Sequence, residues 1–105
     1  MATIEIERII DRTLNDIFHS LDRLDHDDID MEMSDGKLVI EFDDGVKLIV
    51  SRQGAADQIW LAEPNGGWHY DYRDNEWVDT KRGMELMETL ETLIGTKIGE
   101  PISLS

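Results

Sequence analysis

Six carboxylates fall within the short stretch from Asp22 to Glu32, namely Asp22, Asp25, Asp27, Asp28, Asp30 and Glu32, a density no fold needs for its own sake. Carboxylate oxygens are hard donors suited to Fe2+, Fe3+, Mn2+, Mg2+ or Ca2+, and a line of them also suits a basic protein surface. The order of residues decides the geometry. Asp28, Asp30 and Glu32 alternate with Ile29, Met31 and Met33, the period-two signature of a half-buried strand, so these acids form a row on one face. Same-face residues on a strand lie about 7 Å apart, so neighbouring charges repel by about 0.6 kcal/mol in water. A Debye length of about 8 Å screens them only in part. A cation or a basic partner relieves that repulsion. Taken singly, each acid reads as a solvated residue or as protection of an edge strand against pairing; taken as a unit, the row reads as a binding surface. A row on a strand does not converge on one point, which predicts several weak, water-rich cation sites. His19 and His26 are candidate nitrogen ligands that would sharpen such sites toward Co2+ or Fe2+ if they turned inward, the plainer reading of both being solvation. An EF-hand is excluded, because counting from Asp25 and Asp27 the third ligand position is Ile29 and the required glycine is missing.

The elements that must position this stretch are legible on both sides of it. From Thr3 to about Leu24, Ile6, Ile10, Leu14, Ile17, Leu21 and Leu24 recur at helical spacing, with Thr3 as N-cap and Glu5 and Glu7 at the positive end of the helix dipole. Glu7, Asp11 and Asp22 share one flank of that helix with Phe18, so the acidic feature runs from helix into strand, partly offset by Arg8, Arg12 and Arg23. Turns at Ser34–Gly36 and Asp43–Gly45 separate the β-branched runs KLVIEF and VKLIVSRQ, in which Leu38, Ile40, Phe42, Val46, Leu48 and Val50 form one apolar face. The opposite face is mixed, so the sheet is expected to be covered on one side only. A strand over Gln58 to Ala62 then buries Ile59 and Leu61 and turns Trp60 to the mixed face, beside Gln58, Ser51 and Gln53. Tryptophan is ordinarily core, but an exposed tryptophan ringed by polar groups has the composition of a protein-binding hot spot. A turn at Pro64–Gly67, the run WHYDY, a turn at Arg73–Asn75 and a short strand EWVD with Trp77 packed follow. Leu86, Met87, Leu90, Leu93 and Ile94 mark a second amphipathic helix over Gly83 to Ile94, stopped by Gly95, with Met84 and Met87 as gap-filling core and the tail along the helices. Helix, meander of about six strands and helix, without long crossovers, make an α+β two-layer sandwich with both helices on one face of an antiparallel sheet.

Composition bounds the function. The chain of 105 residues is one domain. A formal charge of −14 argues against nucleic acid and anionic membranes as partners and for cations or basic proteins. With 40% hydrophobic residues, including three Trp, two Tyr and two Phe, the chain is too apolar for a disordered acidic tail. The absence of cysteine removes disulfides, thiolate metal sites and thiol nucleophiles. The first ten residues do not read as a secretory signal, and no run approaches the roughly 20 apolar residues of a membrane span. Paired carboxylates also serve as general acid and base, but such pairs need a pocket that splits their pKa values, and these acids are strung along an edge. The chain is therefore not expected to be an enzyme. Two readings remain, a metal-binding protein and a metal-independent acidic docking or decoy module for a basic partner.

The strand pair LIVSRQGAADQIWLA from Leu48 to Ala62, GGWHYDY from Gly66 to Tyr72 and EWVDT from Glu76 to Thr80, behind the acidic strand DDIDMEM, resemble the frataxin family in its bacterial CyaY type. The resemblance covers nearly the whole chain. It implies a small cytoplasmic protein of iron–sulfur cluster assembly that binds Fe2+ or Fe3+ weakly on an acidic ridge. It also implies docking on a cysteine desulfurase and an iron–sulfur scaffold protein, as regulator or iron donor, by a monomer that metal could drive into oligomers. By position the ridge is Glu7, Asp11, Asp22, Asp25, Asp27, Asp28, Asp30 and Glu32, and the sheet patch is Gln53 and Trp60. The chain departs from the family at Ser51, where many members place Asn, and at Phe18 and His19, where many bacterial members place adjacent acids.

Overall fold

A computed structural model describes residues 3–53 and 57–104, with side chains from residue 5 onward, so the expected capping role of the Thr3 side chain lies outside the described residues. Helix α1 (Thr3–Leu24) buries Ile6, Ile10, Leu14, Ile17 and Leu21, five members of its apolar stripe. The sixth, Leu24, is instead 38% exposed. It is the last helical residue, and Asp25 immediately turns the chain away with φ of +48°, a left-handed conformation that Asp tolerates better than most side chains.

Strands β1 (Ile29–Ser34), β2 (Lys37–Phe42), β3 (Lys47–Gln53), β4 (Gln58–Glu63), β5 (Gly66–Arg73) and β6 (Glu76–Asp79) form one antiparallel sheet in the order of the sequence. Two-residue connections set three of the registers. Ser34 pairs with Lys37, Glu63 with Gly66 and Arg73 with Glu76, and every other pair in those hairpins follows by counting outward. At the last of these turns Asp74 and Asn75 both have positive φ, +50° and +67°, as the primed hairpin turn requires.

The apolar face predicted for the sheet is the core. Leu38, Ile40, Phe42, Leu48, Val50, Ile59, Leu61, Tyr70 and Trp77 join the α1 stripe and Leu86, Leu90 and Ile94 of α2 (Leu86–Ile98) in one buried cluster, so both helices cover the same face. The second helix differs from the sequence expectation at both ends. It begins after Glu85, whose carboxylate accepts hydrogen bonds from the backbone N–H of Met87 and Glu88. It also continues through Gly95 and ends at Gly99, which takes φ of +76°. Gly95 has a packing reason rather than a stopping role: a Cβ there would meet the Glu100 carbonyl oxygen at 3.1 Å, because the returning tail lies across it. That tail docks as expected along both helices. Leu104 is buried, its N–H donates to Glu91 of α2, and its carbonyl accepts from Ser20 of α1.

Among the described residues one core polar side-chain group is unpaired. The Tyr70 hydroxyl is buried and meets no partner in hydrogen-bonding geometry among the described residues, while the Thr89 hydroxyl donates to the Glu85 carbonyl oxygen. Burial pushes the Tyr70 pKa up to about 12.

Candidate functional site

Because β1 is the edge of the sheet and Ile29, Met31 and Met33 lean toward the core, parity turns Asp30 and Glu32 to the opposite, solvent-facing side, where both are exposed. The two-residue hairpin places Asp30 directly opposite Glu41 and Glu32 opposite Val39. Glu41 in turn faces Lys47 on β3. The acidic row is therefore two strands wide at Asp30 before the first lysine. Glu41 was not among the sequence-derived site residues, although the register implied by the Asp35–Gly36 turn already points to it. Asp30, Glu32, Glu41 and Lys47 line a shallow cleft of about 120 Å3, well below the roughly 300 Å3 at which organic ligand pockets begin.

The connection from α1 to β1 extends the row. Asp22, Asp25 and Asp27 are exposed and Asp28 is half-buried. None of Asp22, Asp25, Asp27, Asp28, Asp30 and Glu32 forms an ion pair among the described residues, which leaves the charge of the stretch uncompensated within the chain. The acids of α1 differ. Asp11 lies 3.6 Å from the guanidinium of Arg52, which also reaches Asp35 at 3.9 Å, so this end of the ridge carries its own counter-ion. Glu7 is half-buried and unpaired among the described residues. Elsewhere at the sheet end Asp44 pairs with Lys97, and that hydrogen bond holds its carboxyl below the usual carboxylate range.

The two histidines are placed differently from each other. His19 is exposed and packs edge-on against Phe18, with ring centroids 5.6 Å apart. His26 accepts a hydrogen bond at Nδ1 from the Asp28 N–H, at 3.1 Å, and directs Nε2 toward Glu100 at 3.7 Å. Its imidazole therefore organises the loop, and the ring proton is left on Nε2, the nitrogen that faces Glu100. Among the described residues no group of three or more His, Asp or Glu side chains converges on a single metal position. The acids of β1 instead stand in a row along its exposed face. Such a row can hold hydrated cations through one or two carboxylates each, as hard, water-rich ions accept.

Farther along the same sheet face the row of acids gives way to an aromatic patch, beside the Asp71–Arg73 ion pair at 3.4 Å. Trp60 is 37% exposed, as its parity predicted, and sits opposite Ser51 on one side and His69 on the other. Its indole stacks on the His69 imidazole, with centroids 6.3 Å apart and planes 22° from parallel, and lies over Gly67, where a Cβ would come within 2.7 Å of the indole nitrogen. Gly67 is thus the floor of the patch, a role that the run of glycines in PNGG hid behind its turn signal. Gln53 faces Gln58, whose side-chain amide donates to Asp71 at 2.7 Å. The outer face therefore divides into an acidic edge and a neutral aromatic patch.

An antiparallel sheet backed by two helices on one side, with its other side split in this way, defines a small α+β two-layer sandwich of the frataxin-like class. A family model described as a frataxin-like domain matches residues 1–100, and the chain belongs to the frataxin family. It is 40% identical over 107 residues to the iron-sulfur cluster assembly protein CyaY of Thioalkalivibrio sulfidiphilus, covering 99% of this chain and all of that one. The protein of the same name from Vibrio cholerae is 36% identical over 102 residues, or 97% of each chain. Among solved structures, a frataxin from Psychromonas ingrahamii superposes with a TM-score of 0.94 at 28% identity, over 100% of this chain and 99% of that one. A ferrous complex of trimeric frataxin from the yeast Saccharomyces cerevisiae superposes at 0.78 with 30% identity, over 88% and 87% of the two chains. Among the described residues no helix is long and apolar enough to cross a membrane.

Proposed function

We propose that this protein works in iron–sulfur cluster assembly in the cytoplasm, without catalysing a reaction itself. It binds iron weakly along the row from Asp22 to Glu32 and docks on a cysteine desulfurase through the same charges, while Gln53 and Trp60 meet the scaffold protein. The observation that carries this reading is the acidic edge: six carboxylates that form no ion pair among the described residues, beside a neutral patch with an exposed indole. The names of the relatives support the assembly role, and the ferrous complex of the yeast protein supports iron as the cargo. The donor set fits that cargo, since exposed carboxylates suit Fe2+ and Fe3+ but, without convergence, give weak sites open to other divalent cations. Within the ridge the structure favours Asp25, Asp27, Asp30 and Glu32 over Asp11, whose charge Arg52 already shares. His26 accepts from the Asp28 N–H at Nδ1, so its ring proton sits on Nε2 and it can ligate a cation only by giving up that bond, while His19 stands apart on Phe18. At rest the net charge of −14 keeps copies apart as monomers, and cations that neutralise the row would permit oligomers.

The test is a triple substitution of Asp27, Asp28 and Asp30 by Asn. Titration with Fe2+ under anaerobic conditions should perturb the amide NMR signals of residues 22–32 first in the parent and much less in the variant. Calorimetric affinity for a cysteine desulfurase should fall at least tenfold. Retained affinity for both ligands in a variant that is still folded would overturn the reading.

A further inference from the structure

The backbone of β1 is as informative as its side chains. Asp43 N–H donates to the Asp28 carbonyl at 3.1 Å, which makes Asp28 and Asp43 a hydrogen-bonded pair of the β1–β2 ladder. In an antiparallel ladder such pairs recur at every second residue, so Asp30 and Glu41, Glu32 and Val39, and Ser34 and Lys37 are the others. The N–H and C=O groups of the intervening residues must then point away from β2, toward the open edge. The Ile29 N–H is taken by the His26 carbonyl at 3.1 Å, but the Ile29 C=O and both backbone groups of Met31 and Met33 meet no partner among the described residues. Among the described residues no strand lies beyond β1 in the sheet. The edge also has two different sides. Ile29, Met31 and Met33 are only half-buried on the core side, leaving part of each apolar surface at the rim, whereas Asp30 and Glu32 are fully exposed on the other side.

We infer that β1 accepts an extended, basic partner segment as a seventh strand, in which Lys or Arg alternates with apolar residues. The inference rests on the reading of the acidic row as a docking surface and specifies how the segment is held. A residue of the incoming strand opposite Met31 or Met33 exchanges backbone hydrogen bonds with it and shares its face, so it must be apolar to cover the exposed rim. The residues opposite Asp30 and Glu32 fall on the solvent face with Cβ atoms about 5 Å from those acids, where a cation is favoured and an anion rejected. Charge complementarity therefore chooses the occupant. A second copy of the chain is disfavoured, since antiparallel pairing of two β1 strands about Met31 sets Asp30 of one beside Glu32 of the other. The acids that guard the edge against self-association thus leave it selective for a strand of opposite charge.

The probes are three synthetic peptides of equal composition and charge. The first alternates Lys and Val over seven residues, the second groups the lysines at one end, and the third is the first with its valine backbone nitrogens methylated. Amide hydrogen exchange of the protein is followed by NMR. The alternating peptide should slow exchange at Met31 and Met33 at least tenfold, the grouped and methylated peptides should not, and Asp30→Lys combined with Glu32→Lys should abolish the effect. Equal binding of all three peptides without protection at Met31 and Met33 would overturn strand addition and leave charge-driven docking standing. Binding of none at low salt would overturn both. Protection of the two amides that grows with protein concentration alone would assign the edge to a second copy and refute the inference.

Discussion

Replacing Asp30 with Asn should make the protein more stable while weakening its hold on cations. Asp30 faces Glu41 across the β1–β2 pair and is flanked along its own strand by Asp28 and Glu32. Like charges directly opposite each other on a sheet cost about 0.2–1 kcal/mol, and each same-face neighbour about 7 Å away adds about 0.6 kcal/mol before screening. Lys47 offsets little of this at Asp30, because it faces Glu41 from two strands away, about a Debye length. Allowing for screening, Asp30→Asn should gain about 1 kcal/mol at low ionic strength, equivalent to about 4 °C in Tm for a domain of this size. Thermal unfolding followed by circular dichroism would measure it. The gain should shrink by more than half in 1 M salt, where the Debye length falls to about 3 Å. Added Mn2+ or Co2+ should raise the Tm of the parent more than that of the variant, because a ligand that binds only the folded state stabilises it. A cycle with Glu41→Gln should return a coupling of unfavourable sign for the pair. A lower Tm for Asp30→Asn at low salt, or a gain that survives unchanged in 1 M salt, would refute the claim that the row stores repulsion.

Three further outcomes follow from the structure. Because burial raises the Tyr70 pKa from 10.0 to about 12, the unfolded chain releases this proton first, so the folded state loses stability as pH rises from 10 to 12, by about 2 kcal/mol at the upper end. Tyr70→Phe should flatten that limb of the pH–stability curve and leave stability at pH 7 unchanged or higher, since the hydroxyl has no hydrogen-bond partner to lose. Gly67→Ala should displace the Trp60 indole, seen as a shift in tryptophan fluorescence and a weaker scaffold interaction with little change in Tm, because the new methyl would sit 2.7 Å from the indole nitrogen on an open face. Leu104→Ala should cost about 2 kcal/mol in denaturant unfolding, the lower end for a buried leucine, since Leu104 closes the gap between α1 and α2 from the chain terminus; a change under about 0.5 kcal/mol would show that the tail is not part of the core.

The amino-acid sequence alone set the parity of every strand, because alternation has a period of two and tight turns fix the register outward from each hairpin. That was enough to put Asp30 and Glu32 in solvent, to expose Trp60 and to bury Trp77. It also gave the helix–meander–helix order, since short connections leave an antiparallel sheet little choice of topology. What sequence could not supply was any relation between residues distant along the chain. Arg52 sits beside Asp11, from 41 positions earlier, only because α1 crosses the end of β3. Gly95 looked like a helix stop, yet the tail that folds back over it makes it a contact point and moves the stop to Gly99. His26, which the sequence offers as a candidate nitrogen ligand, becomes a fixed brace once the loop brings the Asp28 N–H to its Nδ1. Local pattern records which way a side chain faces, through the repeat of its own element. Which charges remain uncompensated depends on what the other elements bring alongside, and only the folded chain decides that.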